Sequence, residues 1–311
     1  MATFLVTGGA GFIGSHIAET LVRRGDQVRV LDNLMTGKKE NLAPFIDRVE
    51  FIEGDIRDLD ICRRAVRGAD HVLHQAALPS VPRSVEDPLL ANGINVTGTL
   101  NMLLAARDAG VWSFVMASSS SVYGDDPRTP KREGQEGKPL SPYAVGKFVG
   151  EKYCEVFHDL FRMKTVALRY FNVFGPRQDP ESQYAAVIPL FITKVLRGER
   201  PVVYGDGEQS RDFTYVDNVV EANLLAAESG VAGGETLNIA CGERLTINAL
   251  LTAVNGILGA DIRAVNAEPR PGDIRHSTAD VGRARRVLNF NPRVPFLEGL
   301  RKTVDWYRER S

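Results

Sequence analysis

Cysteine is scarce in this chain: Cys62, Cys154 and Cys241 are three among 311 residues. Their odd number and wide spacing, with no CxxC, exclude a disulfide framework or a zinc ribbon and make a reducing compartment the expectation. An excess of either charge is missing too. Lys and Arg number 38 and Asp and Glu 39, a net charge of −1. This balance gives no global basic field and argues against nucleic acid or an anionic membrane as partner. Local arginine clusters still suit a small anion. Long apolar runs are also absent, and no stretch approaches ~18 uninterrupted apolar residues. Met1–Thr7 has no basic segment and reaches glycine after a few apolar residues, too short for a signal peptide or a membrane span. These absences predict a soluble, cytoplasmic protein with no membrane partner. What remains is an ordinary globular composition, 43% hydrophobic and 25% charged, in a chain long enough to bury a core without staples.

Short apolar runs alternate with helical spacing. Thr3–Val6, Val28–Leu31, Val49–Ile52, His71–His74, Ser113–Ala117, Val166–Tyr170 and Thr236–Ile239 read as strands. Ser15–Arg24 places Ile17, Leu21 and Val22 on one helical face. Further helices are expected near Asp58–Arg67, about Asn92–Ala109, and from Ser141-Pro142, where Ser suits the N-cap and Pro the first turn. Strands alternating with helices predict a doubly wound parallel sheet of the Rossmann α/β class. Continuous apolar strands are what burial on both faces requires. Residues 125–138 are polar and contain prolines and glycines, a loop rather than a linker, and from Gly175 the pattern is less regular.

Gly8, Gly9, Gly11 and Gly14 lie between the first strand and its helix. Such glycines let the backbone turn sharply and approach a pyrophosphate at a helix N-terminus. Asp32 ends the second strand, where a carboxylate bonds ribose hydroxyls and repels a 2′-phosphate, favouring NAD over NADP. Asp55, in Gly54-Asp55-Ile56-Arg57-Asp58, reads either as an adenine contact or as the cap of the next helix. Small residues in His74-Gln75-Ala76-Ala77 permit close backbone approach to a cofactor. His74 itself reads as a satisfied core histidine. His71 and His74 point to opposite faces of a strand, so no metal site is expected there.

Tyr143 and Lys147 form YxxxK, and on a helix both side chains share a face. Bringing a phenol of pKa about 10 to neutral pH needs about 4 kcal/mol of differential stabilisation, which a nearby Lys and a cationic ring supply. As an isolated pattern YxxxK is a common surface pair. It gains weight from the run Ser118-Ser119-Ser120-Ser121, because strand ends are where a doubly wound fold places its ligand.

The stretches TGGAGFIGSH, GDIRD, HQAA, SSSSVYG, SPYAVGK, LRYFNVFGPRQ and GDGEQSRDFTYVDN resemble the extended short-chain dehydrogenases/reductases of the NAD-dependent sugar epimerase/dehydratase family. Ser80-Val81-Pro82-Arg83-Ser84 and Gln178-Asp179-Pro180 are most similar to its UDP-N-acetylglucosamine/UDP-glucose 4-epimerases; Pro79 departs from them, a glycine being usual there. The resemblance implies bound NAD, a UDP-sugar substrate and a homodimer pairing the helices near Asn92–Ala109 and Pro142–Phe161. It implies a dinucleotide-binding domain over 1–171 with a return at about 213–241. Residues 172–212 and 242–311 would then form a smaller α/β C-terminal substrate domain. Tyr143 would be the base and Lys147 its partner. Ser119 matches the catalytic Ser/Thr, with Ser120 and Ser121 one and two steps away. NAD would be held by Gly8, Gly11, Phe12, Ile13, Gly14, Asp32, Asn33, Gly37, Asp55, Ile56, Gln75, Ala76, Ala77 and Tyr170 together with Tyr143 and Lys147. The sugar nucleotide would meet Ser80, Ser84, Ser119, Ser121, Tyr143, Gln178, Ala186, Val187 and Tyr204. Asn172, Arg211 and Arg270 would take its diphosphate and Asp273 its uridine ribose. Guanidinium forks suit phosphate oxygens on their own merits. Ser277 matches the position that walls the sugar pocket at C2, where Ser leaves room for an N-acetyl group and Tyr does not. The plain alternative is that Ser277 begins a strand or turn.

The implied activity is reversible inversion at C4 of a UDP-hexose. UDP-glucuronate 4-epimerase shares all these motifs and is the runner-up. A 4,6-dehydratase needs an acid pair that Ser119-Ser120-Ser121-Val122 lacks, and a decarboxylase usually has an acid where Ser121 stands. A non-catalytic NAD-binding regulator is disfavoured by the complete Ser/Tyr/Lys set.

Overall fold

The structure, a computed structural model, describes residues 1–180, 186–269 and 275–310. Strands β1 (Thr3–Thr7), β2 (Gln27–Asp32), β3 (Val49–Glu53), β4 (His71–His74), β5 (Ser113–Ser119) and β6 (Lys164–Tyr170) begin the central sheet. Short strands β7 (Val173–Phe174), β8 (Val202–Tyr204), β9 (Ser210–Arg211) and β10 (Thr214–Tyr215) follow. Then β11 (Glu235–Ile239) returns to the sheet before β12 (Leu245–Thr246) and β13 (Val265–Ala267). The sheet order is β11-β6-β5-β4-β1-β2-β3, and every neighbouring pair is parallel. The winding reverses beside β1, so the ends of β1 and β4 open the crevice where such sheets bind ligands.

Alternation along the strands separates two cores. Phe4 and Val6 of β1 face Ile17 and Leu21 of α1 (Phe12–Arg24), while Leu5 faces the opposite layer. That layer holds Cys62 and Ala65 of α2 (Leu59–Val66), Met102 and Leu103 of α5 (Thr99–Asp108), and Cys154 and Phe157 of α6 (Pro142–Phe161). A fully buried Leu or Phe in either layer contributes about 1.5–3 kcal/mol. Before α5 come α3 (Val81–Glu86) and α4 (Pro88–Asn92). After α6 come α7 (Val187–Leu196), α8 (Val216–Glu228), α9 (Ile247–Leu258), α10 (Gly282–Leu288) and α11 (Phe296–Arg308). Helix α8 joins α1 on the first face through Val219 and Ala222. Three small pairings complete the chain: β10 with β7, β12 with β9, and β13 with β8.

The seven expected strands are all present. Other elements differ. Helix α1 starts at Phe12, inside the glycine motif, because Gly11 takes the cap position. Helix α3 was hidden by its six residues; Ser80 caps it by accepting the Arg83 N–H, and Pro82 lies in its first turn. The helix expected from Asn92 begins at Pro88 and runs to Asp108, with π-helical Gly93–Gly98 between α4 and α5. Its 21 residues are long and apolar enough to cross a membrane by length and composition, and half of its most apolar stretch is buried inside the structure.

Candidate active site

Strand β1 delivers the chain into the glycine loop. Gly8 has φ +67, and an added Cβ there would come within 2.7 Å of the Ala76 nitrogen. A Cβ on Gly14 would overlap the Gly8 carbonyl oxygen. The loop therefore lies tight against the end of β4, and α1 begins with no side-chain cap at Gly11. Its first-turn N–H groups, on the half-buried Phe12 and Ile13, present the positive end of the helix to an anion. Asp32 is buried beside them and accepts the N–H of Ala10 at 2.9 Å and of Leu34 at 2.8 Å. Burial pushes its carboxyl above the usual range, and these two bonds oppose that. A Cβ on Gly37 would come within 2.8 Å of the same carboxylate.

Asn33 donates to Asp55 at 2.8 Å. Arg57 grips Asp55 through Nε at 3.0 Å and Nη2 at 2.8 Å, and mainly this pairing lowers the carboxyl to about 2. The cap of α2 is Asp58, not Asp55. Ile56 is buried against Gly98. At the end of β4, Ala76 and Ala77 are half-buried. Gln75 and Tyr170 share hydrogen bonds with Asn223 at 3.0–3.1 Å and with each other at 3.1 Å. His74 is a satisfied core histidine: Nδ1 meets Thr7 at 2.8 Å and Nε2 meets Thr99 at 3.1 Å, and burial lowers it to about 3. Among the described residues, no group of three His, Cys, Asp or Glu side chains is placed to hold a metal ion.

The sequence places its sugar-nucleotide candidates around the later short strands. Asn172, at φ +34, donates to the Asp212 carbonyl at 3.2 Å. Gln178 donates to the Val173 carbonyl at 3.2 Å. Ala186 is the N-cap of α7 and Val187 its first residue. Tyr204 ends β8 and Arg211 ends β9. Ser277 is buried, and its N–H donates to the Ser210 carbonyl at 3.1 Å, next to Arg211. Arg270 and Asp273 lie outside the described residues.

Two residues that the sequence reading did not single out shape this corner. Arg244 donates to Ser210 Oγ at 2.8 Å, which also meets His276 Nδ1 at 2.9 Å. Asp212 is fully buried and accepts the N–H groups of Cys241, Gly242 and Ala279 at 3.1 Å each. No spacing marks Arg244. It reaches Ser210 because β12 pairs antiparallel with β9, Leu245 opposite Arg211.

Helix α6 carries the reactive face. Ser141 caps it by accepting the Ala144 N–H at 3.1 Å, with Pro142 in the first turn. Lys147 Nζ lies 5.9 Å from the Tyr143 ring centroid and donates to the Ala117 carbonyl at 2.8 Å. The Ser119 side chain faces the Tyr143 phenol, and its Oγ accepts the Ser121 N–H at 3.2 Å. Of its neighbours, Ser121 has a buried Oγ without a partner among the described residues. Burial raises the Tyr143 phenol above its ordinary value and the nearby Ser119 hydroxyl opposes this. Burial lowers Lys147 to about 8, and the charge of Glu151 opposes that. Ser84 is fully buried; its Oγ donates to the Val81 carbonyl at 2.7 Å and accepts the Tyr143 N–H at 3.1 Å. It thus braces the backbone of Tyr143. Ser80 Oγ is engaged in capping α3 at 3.3 Å.

Residues 4–240 match the NAD dependent epimerase/dehydratase family. The chain belongs to that family. It is 40% identical over 311 residues to the UDP-glucose 4-epimerase of Mycolicibacterium smegmatis, covering 99% of both chains. Among solved structures it is similar to a UDP-N-acetylglucosamine 4-epimerase from Methanobrevibacter ruminantium in complex with UDP-N-acetylmuramic acid. That match has a TM-score of 0.95 and 44% identity, over 100% of this chain and 99% of that one. It is also similar to the Thermus thermophilus UDP-glucose 4-epimerase in complex with NAD. There the TM-score is 0.90 and the identity 42%, over 99% of this chain and 100% of that one. The donor set fits the family's NAD: an uncapped helix N-terminus for the pyrophosphate, and a carboxylate beside it for ribose hydroxyls. In this epimerase/dehydratase family member, the Ser119, Tyr143 and Lys147 side chains converge where β5 ends, at the C-terminal edge of the sheet.

Proposed function

We propose that this chain interconverts C4 epimers of UDP-hexoses, UDP-glucose with UDP-galactose and UDP-N-acetylglucosamine with UDP-N-acetylgalactosamine. The observation that carries this reading is the convergence of Ser119, Tyr143 and Lys147 at the mouth of the dinucleotide crevice. When bound, NAD supplies a hydride acceptor at the sugar carbon and a positive ring whose field favours a phenolate. Tyr143 takes the 4-hydroxyl proton and later returns it, while Ser119 holds the same sugar oxygen and keeps the phenol oriented. Lys147 adds a buried positive charge beside the phenol. Because Tyr143 acts on the oxygen and not on a particular face of C4, the flat 4-keto sugar can be served in both orientations. Asn172 and Arg211, joined by Arg270 and Asp273, are assigned to the UDP moiety. Their hold anchors the nucleotide while the sugar turns.

Ser277 is read as the C2 wall. Its backbone is fixed by Ser210, so a larger side chain there would have to grow into neighbouring space. The division into a dinucleotide-binding part (1–171 with 213–241) and a substrate part (172–212 with 242–311) is part of the same proposal. All three cysteines are free, which supports a reducing, cytoplasmic setting. A homodimer is supported by an outward apolar stripe on α6: Val145, Val156 and Leu160 are exposed at spacings that keep them on one face.

The test is incubation with a panel of UDP-sugars, with products identified by NMR. Conversion of the plain and N-acetylated pairs is expected. Conversion of UDP-glucuronate alone would give the substrate to the uronic acid. No conversion of any member would overturn the reading.

A further inference from the structure

Below the reactive face a row of charges runs back from Lys147, and its members beyond Lys147 take no part in the proposed chemistry. Glu151 sits one helical turn beyond Lys147 on α6 and is fully buried. Its Oε1 accepts Ser118 Oγ at 2.5 Å and Arg169 Nε at 2.8 Å; its Oε2 accepts Arg169 Nη2 at 2.7 Å. Arg169 in turn meets Glu136 through Nη1 at 2.5 Å and lies over the Tyr123 ring at 4.9 Å. Of the other titratable groups near the row, His74, Cys154 and Tyr123 are held neutral by burial, and burial raises the Glu133 carboxyl, which the Arg169 charge opposes. Charge therefore alternates: Lys147 positive, Glu151 negative, Arg169 positive, Glu136 negative.

Two consecutive residues of β5 are tied to α6 through this row: Ala117 takes the Lys147 ammonium and Ser118 donates to Glu151. The next residue, Ser119, faces the Tyr143 phenol. We propose that Glu151 is a positioning residue whose buried carboxylate keeps Lys147 charged and fixes the end of β5 against α6. This rests on the proposed roles of Tyr143 and Lys147. The physical reason is that the Glu151 carboxylate, ion-paired to Arg169, also acts through space on Lys147 one helical turn away, and only Lys147 can discharge. Arg169 keeps its proton throughout the accessible pH range, so losing the shared anion falls on Lys147. Along a helix, Glu151 is about 6 Å of axial rise from Lys147 and about 12 Å from Tyr143. Its charge therefore favours the Lys147 cation more than it disfavours the Tyr143 phenolate.

The experiment is the titration of Lys147 in the holoenzyme by lysine-selective NMR, its signal assigned by loss in Lys147→Arg, beside the pH profile of kcat. In Glu151→Gln, which keeps shape and some hydrogen bonding, the Lys147 midpoint should fall by one pH unit or more, about tenfold in the protonation ratio. The alkaline limb of kcat should move down with it. In the Lys147→Arg background, where residue 147 cannot discharge, Glu151→Gln should leave the pH profile in place. If Glu151→Gln does not fold, Glu136→Gln at the outer end of the row should shift Lys147 in the same direction by less. A Lys147 midpoint that coincides with wild type, or an equal effect of Glu151→Gln in both backgrounds, overturns the inference. The titration needs no UDP-sugar. A shifted Lys147 in a protein that converts none of the panel would sink the proposed function and leave Glu151 standing.

Discussion

Tyr143 carries the proton in the proposed reaction, yet its surroundings without cofactor hold it in the phenol form. Its activation depends on positive charge being brought beside it. Tyr143→Phe should lower turnover by about 10²–10⁴-fold, the range for a removed general base. UDP binding, measured by calorimetry, should persist because the residues assigned to the diphosphate are untouched. Lys147 sets the alkaline side. Burial lowers it to about 8, so its cation is present below that pH and lost above it. Turnover should fall as pH rises through that region, and Lys147→Arg should remove this limb. At Ser277 the expected effect is selective. Ser277→Tyr should cost the N-acetylated pair about 1–3 kcal/mol by overpacking, roughly tenfold to a hundredfold, and the plain pair much less. Equal losses on both pairs would defeat the gate.

At the scale of elements, the β1–α1 junction depends on the absence of side chains. Gly14→Ala forces a methyl onto the Gly8 carbonyl, and overpacking of this kind costs about 1–3 kcal/mol. Denatured Gly14→Ala protein should release far less NAD per chain than wild type, measured by chromatography of the released dinucleotide. This junction was legible in the sequence because its logic is local: strand, glycines, helix and Asp32 follow one another within one βαβ unit. The reactive face of α6 was legible for the same reason, as two side chains one turn apart. Glu151 obeys the same spacing and was readable in principle. Its partner Arg169 lies 18 residues away on the next strand, and only the fold joins them. Arg244 and Asp212 were invisible because they act through two-residue strands and loop carbonyls and amides, which leave no periodic trace. The π-helical turn at Gly93–Gly98 was likewise unreadable, since its residues suit an ordinary helix equally well.

At the scale of the whole molecule, the exposed stripe of α6 makes a prediction about assembly. On the homodimer proposed above, the wild type should sediment as a dimer and Val156→Asp with Leu160→Asp as a monomer, because charges on an apolar contact are costly to bury. An unchanged sedimentation coefficient would place any self-contact elsewhere. The polar segment 125–138 has a different consequence. By composition it is the kind of surface loop a protease would enter. In the fold it is stitched down on several sides. Lys131 donates its N–H to the Thr278 carbonyl at 2.7 Å and accepts that of Asp280 at 2.9 Å. Glu133 accepts the N–H of Asn238 at 2.8 Å, and Glu136 closes on Arg169. Trypsin finds Arg128, Lys131 and Arg132 in this stretch, but cutting there requires the backbone to come away from β11 and from the segment after Ser277 together. The native protein should therefore resist nicking in a region whose sequence advertises it, and a cut there would report that this segment has come away from β11 and from the residues after Ser277.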